Sequence, residues 1–80
     1  MNEMLKERLE HHLKDELSDV ICYNTFAKEA ETHREQKLFY AIRNDEYEHA
    51  ETILAMLKLD GYKIEEHPEV LSLWEKVKEL

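Results

Sequence analysis

No glycine or proline occurs before Gly61, and the only proline, Pro68, comes after it. Those two residues are the usual interrupters of regular structure. A chain that lacks them through Asp60 while its apolar side chains recur at steps of three and four is constrained to long helices. The first is predicted from about residue 3 to 30, because Leu9, Leu13, Glu16, Val20, Tyr23, Ala27 and Ala30 keep one unbroken four-three spacing. Leu17 and Ile21 widen that stripe, and Lys6, Glu10, Lys14, Lys28 and Glu29 supply a solvated side. Thr32-His33-Arg34-Glu35 then matches a capping box, in which the Thr hydroxyl and the Glu carboxylate each satisfy an orphan backbone donor. The turn is therefore expected at Glu31 to His33. A second helix follows from His33 to about Leu59, stopped at Asp60-Gly61, where glycine can take the left-handed conformation that ends helices. Residues 62 to 67 form a connector. Pro68 then suits the first turn of a third helix, about 68 to 80, with Val70, Leu73, Trp74, Val77 and Leu80 on one face. The expected fold is all-α and a single domain over 1–80: a long antiparallel helical hairpin plus a short C-terminal helix.

Eighty residues bury too little apolar surface to be comfortably stable alone, so a staple or a partner is expected. Cys22 is the only cysteine, which excludes an internal disulfide and any paired-cysteine site. The remaining staples are a metal or a second subunit. The start, Met1-Asn2-Glu3-Met4-Leu5-Lys6, lacks the apolar run of a signal peptide, and no stretch approaches the roughly 20 apolar residues of a membrane span. A cytoplasmic protein is the expectation. A formal net charge of -8 argues against nucleic acid or an anionic membrane as partner and favours cations near the surface.

The second helix carries an anomaly. Phe39, Ile42, Glu46, His49, Ile53 and Met56 follow one another at seam spacing, so a carboxylate and an imidazole occupy positions that belong to core residues. Tyr47, Ala50, Leu54 and Leu57 form a second apolar stripe beside it, and so wide a face needs more than one neighbour. Burying ionisable groups in a seam is costly unless something binds them, and a divalent metal suits the pair. The seam of the first helix also contains one acid, Glu16. Folded about the turn, Glu16 and Glu46 are equidistant from Glu31, and Glu16 and His49 from a point between Thr32 and His33. The turn is placed by capping chemistry alone, so the three residues are independently predicted to meet at one level.

One seam Glu and one Glu-x-x-His per chain is half of the set used by four-helix di-iron and di-manganese carboxylate proteins. A two-fold homodimer would complete it across the interface. The donors suit Fe, Mn or Zn, and two irons on shared carboxylates with open positions can deliver electrons to oxygen or peroxide.

The residues from Asp15 to Tyr62 resemble half of a ferritin-like bundle in the rubrerythrin and ferritin superfamily, and are most similar to its two-helix members, the encapsulated ferritins. The resemblance rests on Glu16, then Tyr23-Asn24, then Asn44-Asp45-Glu46-Tyr47-Glu48-His49-Ala50, in order and spacing. It implies a half-bundle completed to four helices by dimerisation, with Glu16, Glu46 and His49 as the catalytic iron ligands of a ferroxidase centre holding two irons per dimer. It also implies ring-like assembly of dimers and a shell protein enclosing them in a nanocompartment. Two positions depart from the pattern. Residue 18 is Ser where those proteins usually carry an acid on the metal's access route, so no such role is carried onto it. The ending Lys78-Glu79-Leu80 shows no capsid-targeting sequence, which weighs against encapsulation.

Plainer readings stand beside these. One Glu-x-x-His is expected by chance in a chain this rich in glutamate, and the cluster could be a satisfied structural one. Tyr23, two turns beyond Glu16 on the same face, is either a redox residue near the metal or a core aromatic with its hydroxyl bonded. Cys22 reads as small buried filler. His11 and His12 read as solvated, although His12 and Glu16 form an i, i+4 pair that could extend metal capture. Glu48 and Glu51 read as solvent face, and Trp74 as the anchor of the last helix. Ser18, Ser72 and the threonines lack the neighbours of a catalytic nucleophile, and no glycine-rich phosphate loop exists. The alternative functions are a rubrerythrin-like di-iron peroxidase and a non-catalytic helical assembly module whose polar cluster fixes register.

Overall fold

The computed structural model describes Met1–Leu80 throughout. It is all-helical, with helices α1 (Glu3–Glu29), α2 (His33–Leu59) and α3 (Pro68–Lys78), a single 3-10 turn at Ile64–Glu66, and no strand. The Asn2 side chain caps α1 by accepting the Leu5 N–H at 2.8 Å. At the other end Ala30 is extended, and the Ala27 carbonyl accepts both the Ala30 N–H at 3.4 Å and Gln36 Nε2 at 3.3 Å, so one helix supplies a donor to the last turn of the other. The capping box forms as a reciprocal pair: the Glu35 N–H donates to the Thr32 hydroxyl, and the Thr32 N–H to the Glu35 carboxylate, both at 3.1 Å. Because His33 is already helical, the turn sits one residue earlier than expected, at 30–32. Gly61 ends α2 at φ 88°, and the Tyr62 N–H reaches back to the Leu57 carbonyl while the Gly61 N–H reaches that of Lys58. That pair of bonds is the left-handed helix stop that only glycine enters without strain.

Contacts between α1 and α2 fall in descending order along one helix and ascending along the other: Ala27 with Gln36, Asn24 with Arg43, Glu16 with His49, and Lys6 with Asp60. The two helices therefore run in opposite directions. The α3 helix packs on α1 and ties to α2 through Trp74, whose ring lies parallel to that of Tyr47 at 5.9 Å. Leu13, Leu17, Val20, Ala50, Ile53, Leu54, Leu57, Ile64, Val70 and Val77 form one continuous core among the three helices. Each fully buried leucine stabilises the chain by about 1.5–3 kcal/mol relative to exposure.

The burial pattern separates the two stripes of α2. The Ala50, Leu54 and Leu57 stripe is sealed, and of the seam that carries Glu46 and His49 Ile53 is buried with it, whereas Ile42 and Met56 lie open to water, as do Phe26 of α1 and Leu38. The α3 helix covers one flank of the helix pair, and the exposed part of the seam belongs to the other. Cys22 also corrects the expectation of a buried filler: it lies one residue off the α1 seam and is exposed.

Two substitutions test the turn chemistry. Thr32→Ala removes the hydroxyl that accepts the Glu35 N–H and donates to the Glu35 carboxylate, and is expected to cost about 1 kcal/mol. Gly61→Ala places a Cβ in open space but in a left-handed conformation, and is expected to cost about 1–2 kcal/mol. Urea unfolding followed by circular dichroism measures both, and unchanged midpoints would contradict these roles.

Candidate metal centre

Glu16 projects from the buried face of α1 between Leu13, Leu17 and Val20, and it is only 8% exposed. Its Oε2 is sealed from solvent and has no hydrogen-bond partner. Such an atom is destabilising unless a charge or a proton faces it. From α2, His49 Nδ1 stands 3.6 Å from that oxygen and 4.0 Å from Glu46 Oε1. The structure thus brings the three sequence-predicted residues together, with one potential ligand atom from each inside 4.8 Å.

Burial is graded across the cluster. Glu16 is buried, Glu46 half-buried, and His49 exposed on the open flank. The Glu46 carboxyl is held above its ordinary range, first by the adjoining Glu16 carboxyl, beside which the neutral acid is favoured, then by burial and by repulsion from Glu16 and Asp45. His49 opposes the shift. Asp19, one turn beyond Glu16, is raised too, by burial and by repulsion from Glu46 and Asp15. Crowded acids that hold a proton against their ordinary chemistry are what a cation would relieve.

The donor set of two carboxylates and one imidazole fits a divalent first-row metal. Donors around an ion at about 2.1 Å lie roughly 3 to 3.5 Å apart, so the cluster must contract. The half-buried Glu46 and exposed His49 have room to do so around the fixed Glu16.

Two neighbours enlarge the picture. His12 Nε2 lies 3.2 Å from Glu16 Oε1, so the histidine expected to be merely solvated touches the buried acid through the i, i+4 spacing visible in the sequence. Asp19 was not singled out by sequence, although its i+3 spacing from Glu16 places it on the same flank. Tyr23 belongs to an aromatic group with Phe26 and Phe39, at centroid distances of 5.7 and 6.4 Å, roughly 10 Å along the helix from Glu16. Its ring is engaged in that packing. No helix is long and apolar enough to cross a membrane. No protein-family model, curated protein or solved structure matches the chain, so the site is read from its geometry alone.

The raised Glu46 gives a signed pH dependence. Below its ordinary value near 4.5 the group is protonated in folded and unfolded chains alike; above that value only the folded chain retains the proton, until the raised folded value is passed. The metal-free chain therefore loses Glu46-linked stability as pH rises through that window. Glu46→Gln should remove the loss, so that its urea midpoint falls less than the parent's from pH 4 to pH 7. Parallel profiles would contradict the carboxyl coupling.

Proposed function

We propose that this chain is an iron-binding, ferritin-like protein that oxidises Fe(II) in the cytoplasm for storage or detoxification, at a two-metal carboxylate centre shared by two copies. The observation that supports this best is the buried, unpartnered Glu16 Oε2 facing His49 and Glu46, with all three donors inside 4.8 Å on a flank no other helix covers. A single helix pair contributes two carboxylates and one imidazole. A two-fold partner laid on the same flank doubles that to four and two, and its apolar side chains would cover Ile42, Met56 and Phe26.

The residues divide the work. Glu16, immobilised by the core, fixes where a cation sits. Glu46, whose carboxyl is raised above its ordinary range beside Glu16, would serve as a second ligand, and a bound cation would oppose that shift. His49 stands at the solvent edge, where ferrous iron as substrate would enter. The iron pair supplies electrons to oxygen or peroxide, and each new Fe(II) brings its own electron, so no reductase is required. A rubrerythrin-like peroxidase needs re-reduction every cycle, and the lone Cys22 cannot build the thiolate-bound iron that commonly performs it. One observation favours a non-catalytic module instead: protonated His12, 3.2 Å from Glu16, could satisfy the buried acid as a simple ion pair.

Stopped-flow absorbance with rising Fe(II) per dimer separates the three. A ferroxidase shows multi-turnover oxidation faster than background, falling to background in Glu16→Ala, Glu46→Ala and His49→Ala. Oxidation that halts after two irons, with peroxide turnover on adding an electron donor, identifies a peroxidase. Neither activity, with no metal co-purifying, leaves the structural module.

Metal should also govern assembly. Four glutamates meeting at a dimer centre repel one another without a cation, so Zn(II) is expected to tighten self-association of the parent chain and not of Glu46→Ala or His49→Ala. Sedimentation velocity measures this, and association indifferent to Zn(II) would count against an interfacial site.

A further inference from the structure

The Glu16 carboxylate is flanked by an imidazole on each of its oxygens. Oε2 faces His49 Nδ1 of α2 at 3.6 Å, and Oε1 faces His12 Nε2 of its own helix at 3.2 Å. Each oxygen of the one carboxylate has its own imidazole, so a cation bound between Oε2, Glu46 and His49 leaves Oε1 to His12. We propose that His12 and Glu16 Oε1 form a second, outer position for a divalent cation, bridged by Glu16 to the inner position at Glu46 and His49. The assignment rests on the metal-binding reading of the inner cluster.

Three features carry it beyond an ordinary helix ion pair. First, Glu16 is a buried residue whose side chain is 11% exposed, so the shared carboxylate is held by the core. Second, its inner oxygen lacks any hydrogen-bond partner, which marks the carboxylate as one built to receive charge. Third, the His12 side chain is 58% exposed, so a cation reaches its Nε2 directly from water, without passing the inner donors. The i, i+4 spacing places both outer donors on one helix face. The inner position has three protein donors and the outer one two, with water completing its shell. The outer position is therefore the weaker, and its occupancy depends on Glu16 alone for its link to the inner one.

Each chain consequently has two classes of site for a redox-inert probe. Titration of the full chain with Co(II), followed by d–d absorbance and by paramagnetically shifted imidazole N–H resonances, resolves them: a tight equivalent first, then a weaker one, each adding one shifted imidazole signal. His12→Ala, an exposed substitution that leaves the core untouched, is expected to abolish the second equivalent and its signal, with the tight dissociation constant changed less than threefold. His49→Ala should do the reverse, weakening the tight class at least tenfold while the His12 signal persists. If His12→Ala binds two equivalents like the parent, or the parent binds a single equivalent without a His12 signal, the outer position is refuted and His12 is an ion-pair partner only. If the parent shows no tight equivalent, the metal-centre reading itself fails, an outcome distinct from loss of the outer class alone.

Discussion

The structure depends on a carboxylate placed where an apolar side chain would otherwise sit. Glu16 lies in the same buried row as Leu13, Leu17 and Val20, and one of its oxygens is closed to water without a hydrogen bond. Leaving a buried charge uncompensated costs several kcal/mol, commonly 3–5 when one partner of a buried pair is removed. That is comparable to half the total stability expected of a small domain. The rest of the site is arranged around this cost: an imidazole on each oxygen, a neighbouring glutamate whose carboxyl is raised above its ordinary range, and an opening toward solvent on the His49 side.

The position of α3 determines which flank remains open. Trp74 stacks on Tyr47, and Val70 and Val77 complete the core with Leu17, Val20 and Leu54, so the short helix exhausts the apolar demand of one side of the α1–α2 pair. The other side keeps Phe26, Ile42 and Met56 in water around the Glu16 cluster. A monomer with both flanks covered would have no route to its buried acid. One with both uncovered could not hold Glu16 rigid.

The helix ends were legible because they are written in local chemistry. Thr32 and Glu35 form their reciprocal caps, Asn2 caps α1, and Gly61 takes the left-handed stop, all within a few residues of sequence. The meeting of Glu16 with Glu46 and His49 was legible for the same reason, since a turn fixed by capping sets which residues stand level. Tertiary choices were less so. Two apolar stripes on α2 looked alike, and only the packing of the helices separated Ile53, Leu54 and Leu57, which are sealed, from Ile42 and Met56, which stay exposed. Cys22 was misjudged by the same ambiguity, one position around the helix from the seam. Asp19 escaped notice because its raised carboxyl comes first from burial and then from Glu46 on the other helix, neither of which the residue's spacing on α1 records.

The gradient of burial from Glu16 through Glu46 to His49 also constrains how such a cluster can respond to a ligand. A site whose donors were all fixed would have to be built at the final donor spacing, and with no ion present its like charges would strain the core. A site whose donors were all mobile would lose side-chain entropy on binding, about 1.5–2 kcal/mol for a glutamate alone. Here the one donor that sets position is ordered by the leucines around it, in the folding of the chain itself, and the two that must move lie nearer to water. The acid that is hardest to bury is thus the one whose immobility is most useful.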